Sequence, residues 1–288
     1  MPLTAQPDLP TLRDIVRNHG LDARKALGQH FLLDMNITRK IARLAAVAPG
    51  DQVIEVGPGP GGLTRALLET RATVTVIERD QRCLDLLADL ADAYDGQLHI
   101  RCEDALRTDY STLLGANDTA HLVSNLPYNI STQLLTGWLT ANHGQWRRMT
   151  LMFQKEVADR ILATSGGKTY GRLSVLSQSA ATVRRGFDLP AQAVTPPPKV
   201  ASSVVVFDRI DTVTAPLAAV EMVTKAGFSQ RRKMLRTTLK PVFGAQTADI
   251  LTREGIDPST RAEQVSVAQF QALAQRLAQD QPANRDIV

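Results

Sequence analysis

The sequence predicts a doubly wound α/β sheet, mostly parallel with one antiparallel edge strand, followed by a small α-helical domain. Three observations carry that reading. Strand-length apolar runs alternate with helical patterns through most of the chain, the pattern of a parallel sheet with crossover helices. A glycine-rich turn, Gly57-Pro58-Gly59-Pro60-Gly61-Gly62, follows the first of those runs directly. After about Asp211 strand signals vanish, and Ala, Gln, Leu and Arg dominate.

Each element has its own signal. Residues 11–18 and 35–46 read as helices ahead of the sheet, with Asp34 as N-cap of the second. Residues 53–56 form the first strand and lead into Gly57. Residues 73–77 alternate β-branched side chains and end at Glu78. Residues 98–102, 121–124 and 149–153 follow at spacings that leave room for a helix between strands. Residues 182–189 and 203–207 read as a hairpin-like pair around Thr195-Pro196-Pro197-Pro198-Lys199, the antiparallel addition at one edge. Residues 221–226, 231–239 and 267–277 are helical in pattern. The expected domains are therefore 1–211, the sheet with its N-terminal helices, and 212–288, the helical domain, joined through residues 212–216. Residues 280–288 are expected to fray.

Composition narrows the function classes. Of 288 residues 43% are hydrophobic, enough for a sizeable core. No apolar stretch approaches membrane-spanning length. The opening Met1-Pro2-Leu3-Thr4-Ala5-Gln6-Pro7-Asp8 is polar and proline-broken, unlike a signal peptide. A cytoplasmic monomer is the expected form. Cys83 and Cys102 lack the close Cys/His partners that zinc needs, so no metal site is expected. Net charge is +4 and the pI about 9.2, yet residues 228–240 carry five basic side chains and no acid. Arg231, Arg232, Lys233 and Arg236 in that run suit either a solvated helix face or a surface that contacts phosphates.

The turn at 57–62 satisfies G-x-G-x-x-G, a weak signal that a nicotinamide dehydrogenase also meets. Glu78, twenty-one positions after Gly57, ends the next strand, where an acid accepts hydrogen bonds from ribose hydroxyls. Three details favour S-adenosylmethionine. Glu55 lies just before the turn, where an acid attracts a cationic methionine end. Pro58 and Pro60 remove amides that a pyrophosphate would use. Asp104, after the third strand, is placed to accept from an adenine amine.

Asn125-Leu126-Pro127-Tyr128 ends the fourth strand. An adenine amino nitrogen is a poor nucleophile because its lone pair is delocalised into the ring. Two fixed acceptors, the Asn125 side-chain oxygen and the Leu126 carbonyl, draw that nitrogen towards tetrahedral geometry. Pro127 restricts Leu126 to an extended conformation. Tyr128 offers a face on which a base stacks, and the target must be unstacked or flipped out to reach it. By itself the tetrapeptide reads as a strand-ending turn; behind that cofactor turn it reads as a catalytic quartet.

The ordered set of motifs resembles the ribosomal RNA small-subunit adenine dimethyltransferases, with their Rossmann-like class I methyltransferase sheet, over nearly the whole chain. The matches are Lys25-Ala26-Leu27-Gly28-Gln29-His30-Phe31-Leu32, then residues 53–62, 76–80, 103–106 and 124–131. Phe153-Gln154-Lys155-Glu156-Val157-Ala158, Tyr170-Gly171-Arg172-Leu173-Ser174, Thr195-Pro196-Pro197-Pro198-Lys199-Val200 with Ser202-Ser203, and Phe228-Ser229-Gln230-Arg231-Arg232-Lys233 complete them. The resemblance implies dimethylation of two adjacent adenosines in the 3′-terminal hairpin loop of 16S rRNA, within a partly assembled small ribosomal subunit. It also implies His30 and Leu32 as cofactor contacts beside Gly57, Gly59, Glu78, Asp104 and Asn125. Many relatives carry Phe where this chain has Val194, which removes one expected wall of the target-base pocket; Phe187 and Phe207 are the candidate substitutes. The rivals are a resistance-type methyltransferase of large-subunit rRNA, a non-catalytic nucleic-acid-binding relative, and a dehydrogenase that leaves the quartet unexplained.

Overall fold

A computed structural model describes residues 9–21, 29–114 and 119–280. Residues 25–28, the start of the first motif, and 281–288, within the expected frayed end, lie outside the described residues. The chain runs α1 (Leu12–Asn18), α2 (Met35–Ala45), β1 (Gln52–Val56), α3 (Gly62–Leu68), β2 (Thr73–Glu78), α4 (Gln81–Ala93), β3 (Leu98–Cys102), β4 (Ala120–Asn125), α5 (Ser131–Thr140) and β5 (Trp146–Gln154). It continues with α6 (Lys155–Ile161), α7 (Arg172–Ala180), β6 (Ala181–Leu189), β7 (Ser202–Arg209), α8 (Leu217–Gly227), α9 (Leu235–Thr238), α10 (Lys240–Phe243), α11 (Thr247–Arg253) and α12 (Val267–Asp280).

The strands form one sheet in the order β3-β2-β1-β4-β5-β7-β6. The four ladders from β3 to β5 are parallel, and the antiparallel addition lies at the other edge. β1 and β2 are buried along all but their first residue, which suits their Val and Ile content on both faces and leaves Glu55, Thr75 and Glu78 as buried polar side chains. Val53, Val74, Val76 and Val123 pack with Leu63, Leu67 and Leu87 in the core on the helix-covered sheet. Order reverses between β1 and β4, and such a reversal opens a crevice beyond the carboxyl ends of the strands. Gly57, Glu78 and Asn125 all stand at those ends.

Local signals act as expected ahead of the sheet. The Asp34 carboxylate accepts from the Asn36 amide at 2.8 Å and starts α2, and Thr11 caps α1. Ala46, expected inside α2, instead ends it in the left-handed conformation, with φ 51°.

The chain forms two compact units. The first comprises Met1–Leu135, Gly144–Ala158 and Arg184–Phe207; the second comprises Thr136–His143, Asp159–Val183 and Asp208–Val288. Thus residues 159–183 belong with the C-terminal helices, and the chain passes between units at more places than the 211/212 border. In the second unit Tyr170, Phe228 and Phe270 form an aromatic run, and the Tyr170 hydroxyl donates to the Val265 carbonyl at 2.9 Å. One helix differs from expectation. Residues 231–234 form a turn, and α9 begins only at Leu235. The Leu235 and Arg236 amides donate to the carbonyls of Thr260 and Pro258, at 2.8 and 3.2 Å, instead of to the preceding turn of chain.

Candidate active site

The turn after β1 is shaped by what lies against it. Gly57 and Gly59 take φ of 69° and 56°, a region that side chains rarely adopt. A Cβ on Gly59 would stand 2.9 Å from the Phe31 ring, and one on Gly57 would stand 3.2 Å from Pro127. The turn therefore lies between the segment Gln29-His30-Phe31-Leu32 on one side and the quartet on the other. The Gly57 amide donates to the Ile77 carbonyl at 3.0 Å, and the Ser124 hydroxyl to the Val56 carbonyl at 2.5 Å, so three strand ends are locked together.

Two acids sit in this crevice. Glu55 is 1% exposed, and burial pushes its carboxyl up to about 8, against the opposing effect of a 2.7 Å hydrogen bond from the Thr64 hydroxyl. Glu78 is also raised by burial. The amides of Asp80 and Arg79, at 2.9 and 2.8 Å, and of Gly59, at 3.4 Å, oppose that shift. A crevice with two under-solvated carboxyls favours a ligand carrying positive charge and hydroxyl donors. Beside them Asp80 behaves oppositely: Arg82 above all, and Gln29, hold its carboxylate down to about 2.

The quartet is positioned by the same N-terminal segment. The Asn125 amide nitrogen donates to the His30 carbonyl at 2.6 Å, so the other end of that amide is its oxygen. The segment is in turn tied to residues 195–196. Phe31 and Thr195 exchange backbone hydrogen bonds at 2.7 and 2.9 Å, and the His30 Nδ1–H donates to the Pro196 carbonyl at 2.7 Å. The His30 ring lies 5.1 Å from the Tyr128 ring at 31°. The Tyr128 hydroxyl is 2.5 Å from the Ser202 Oγ.

His30, Leu32, Gly57, Gly59, Glu78, Asn125, Leu126 and Pro127 line one cavity, together with Glu55. Asp104 and Tyr128 do not border it. The Asp104 carboxylate accepts from the Leu106 amide at 3.0 Å and pairs with Arg79 at 3.4 Å, so its link to the cavity runs through Arg79, which does line it. Sequence reasoning missed Gln29, Phe31, Arg79 and Ile130 as wall residues; the first three flank named positions, which was the available signal. Val194 is buried in the core with Leu32 and Leu189. Phe207 is fully buried edge-on against Phe153, and Phe187 lies beneath the Lys40 ammonium at 3.9 Å. None of these three borders the cavity. Arg231, Arg232, Lys233 and Arg236 are exposed in the second unit, where the Arg231 guanidinium donates to the Lys168 carbonyl at 2.8 Å. Among the described residues no three His, Cys, Asp or Glu side chains gather to hold a metal ion, and no described helix is long and apolar enough to cross a membrane.

Comparison with known proteins places this geometry. A family model described as ribosomal RNA adenine dimethylase matches residues 20–279. A Ribosomal RNA small subunit methyltransferase A from Phenylobacterium zucineum is 56% identical, over 92% of each chain. One from Xanthobacter autotrophicus is 50% identical over 96% of this chain and 97% of its own. A crystal structure of a dimethyladenosine transferase from Plasmodium falciparum superposes with TM-score 0.72 at 25% identity, covering 85% of this chain and 96% of that one. The 23S rRNA methyltransferase ErmE shares the fold at TM-score 0.66 and 23% identity, over 87% of this chain and all of its own. Matched over residues 20–279 and 50–56% identical to these small-subunit relatives along nearly its whole length, the chain belongs to the ribosomal RNA adenine dimethylase family.

Proposed function

We propose that this protein dimethylates the N6 amino groups of two adjacent adenosines in the 3′-terminal hairpin loop of 16S rRNA, with S-adenosylmethionine as donor. Its substrate is a partly assembled small ribosomal subunit, and it acts in the cytoplasm as a monomer. The small-subunit relatives at 50–56% identity support that target over a large-subunit one.

The cavity fits the donor by its chemistry. Gly57 and Gly59 keep the turn free of side chains where a Cβ would meet Pro127 and Phe31. Glu78 accepts from the ribose hydroxyls, Glu55 faces the cationic methionine end, His30 and Leu32 contribute the opposite wall, and Asp104 with Arg79 serves the adenine end. When bound, S-adenosylmethionine supplies an electrophilic methyl group on a sulfonium.

The observation that carries the reading is the bond from the Asn125 amide to the His30 carbonyl, made in the wall of that cavity. It turns the Asn125 Oδ1 away from His30 and leaves it to accept one adenine N–H, while the Leu126 carbonyl accepts the other. Fixed acceptors on both hydrogens make the nitrogen lone pair available at no cost of reorganisation during transfer. No general base is needed, because the methylated amine is weakly basic and sheds its proton to water. Tyr128 stacks on the extruded base, and Arg231, Arg232, Lys233 and Arg236 contact rRNA phosphates.

The test is methyl transfer from labelled S-adenosylmethionine to undermethylated small subunits, followed by nucleoside analysis. Dimethyladenosine near the 3′ end is expected. Product confined to large subunits overturns the target, and no product from a protein that binds the donor overturns the activity.

A further inference from the structure

Tyr128 is held from two directions by one stretch of chain. Its hydroxyl meets the Oγ of Ser202, which is 1% exposed at the start of β7. Its ring lies against His30, whose Nδ1–H is fixed by the Pro196 carbonyl. The entry to β7 is itself anchored, because the Lys155 amide donates to the Ala201 carbonyl at 2.9 Å. Ser202 is thus a buried hydroxyl on a pinned backbone, with the phenol of the quartet as its partner.

This tether matters differently for two successive transfers. An unmethylated adenine amine offers two hydrogens, one for the Asn125 Oδ1 and one for the Leu126 carbonyl. A monomethylated amine offers only one, so one of the two fixed acceptors goes unused. The base must then be held more by its ring than by its amine, and the stacking face of Tyr128 carries the difference. A freely swinging Tyr128 would therefore slow the second transfer more than the first. That transfer forms a bond from N6 to the methyl carbon, returns the carbon–sulfur pair to sulfur and releases the last N–H proton to water.

We infer that Ser202 is a positioning residue for the second methylation: it fixes the Tyr128 ring so that a monomethylated adenine, short of one hydrogen bond, is still held for transfer. The inference rests on the proposed dimethylation and specifies how its second step is secured.

The experiment compares wild-type protein with Ser202→Ala, Tyr128→Phe and Ser202→Thr on undermethylated small subunits, with S-adenosylmethionine. Monomethyl- and dimethyladenosine are measured at matched total methyl incorporation, and donor affinity is measured separately. Loss of one neutral hydrogen bond corresponds to about a fivefold rise in the monomethyl-to-dimethyl ratio for Ser202→Ala and for Tyr128→Phe, with donor affinity unchanged. Ser202→Thr, which keeps the hydroxyl, returns the ratio towards wild type. Misfolded protein lowers both products together and leaves the ratio alone, so the ratio reports positioning. An unchanged ratio in Tyr128→Phe and Ser202→Ala variants that still bind donor overturns the inference while leaving dimethylation intact. Absence of dimethyladenosine from the wild-type reaction overturns the dimethylation and the inference together.

Discussion

At the scale of single residues, the crevice combines one amide whose orientation is dictated and one carboxyl whose charge is suppressed. Asn125 turns its oxygen away from His30, because one of its two N–H donors is committed to the His30 carbonyl. Asn125→Ala is expected to lose about 10²–10³ in turnover, the usual worth of one fixed partner of a reacting group, with a much smaller loss of donor affinity from its place in the cavity wall. Near-normal turnover would remove the acceptor role. Glu55 is held up to about 8 by burial, with Glu78 adding to the shift. Below that pH the free carboxyl is largely protonated, so a cationic ligand must displace a proton to pair with it. Donor affinity should therefore rise with pH towards about 8, and Glu55→Gln should flatten that rise. Calorimetry in buffers of different ionisation enthalpy checks it through the proton released. The sign for stability is the reverse: a raised acid stabilises the fold below its unfolded value and loses that contribution as pH climbs through the folded one. Hence Glu55→Gln should gain in Tm relative to wild type between about pH 5 and 8 and level off above that, and a gap that narrows across that window would contradict the suppressed charge.

At the scale of elements, the strands and the glycine-rich turn were legible because their signals are local. Residues 98–102 match β3 end to end, and Asp34 caps α2 as its side chain suggested. The arrangement of the cavity wall was not legible from spacing. The 29–32 segment reaches the site through Thr195, Pro196 and Asp80, partners far away in sequence, and only the motif resemblance pointed to His30. The late start of α9 has the same origin, since the carbonyls of Pro258 and Thr260 compete for its first amides. Val194 stands where the motif reading expects one wall of the base pocket to be missing, and the fold buries it in the core beside Leu32. The turn itself offers a prediction at this scale. At Gly59 an alanine meets both a left-handed backbone and the Phe31 ring at 2.9 Å. Gly59→Ala should cost about 1–3 kcal/mol of stability and displace Phe31 from the cavity wall. Chemical denaturation and donor binding measured on the same variant check it; loss of stability with full donor affinity would mean that the turn bends without moving the wall.

At the scale of the whole molecule, 33 basic and 29 acidic side chains leave a small net charge, so the overall field attracts a polyanion only weakly. Affinity for rRNA then depends on where charge is concentrated. Residues 228–240 hold five cations and no acid, and the turn at 231–234 presents Arg231, Arg232 and Lys233 as exposed neighbours instead of spreading them around a helix. A turn can direct consecutive side chains at a narrow stretch of backbone, whereas a helix rotates each away from the last by about a quarter turn. If all three meet phosphates, removing their charge takes about 0.7–0.9 from the slope of log affinity against log salt for each phosphate left without its cation. Replacing all three by Gln should therefore flatten the slope for undermethylated small subunits by about two to three units. Donor affinity should stay unchanged, since the proposed donor site is the sheet crevice. Arg231 needs its own control, because its guanidinium also donates to the Lys168 carbonyl and its replacement has a structural component. Arg232→Gln with Lys233→Gln alone should flatten the slope by about two-thirds as much. A slope that does not move in that double variant would show the cluster facing solvent in the bound state and would transfer phosphate recognition to another surface of the protein.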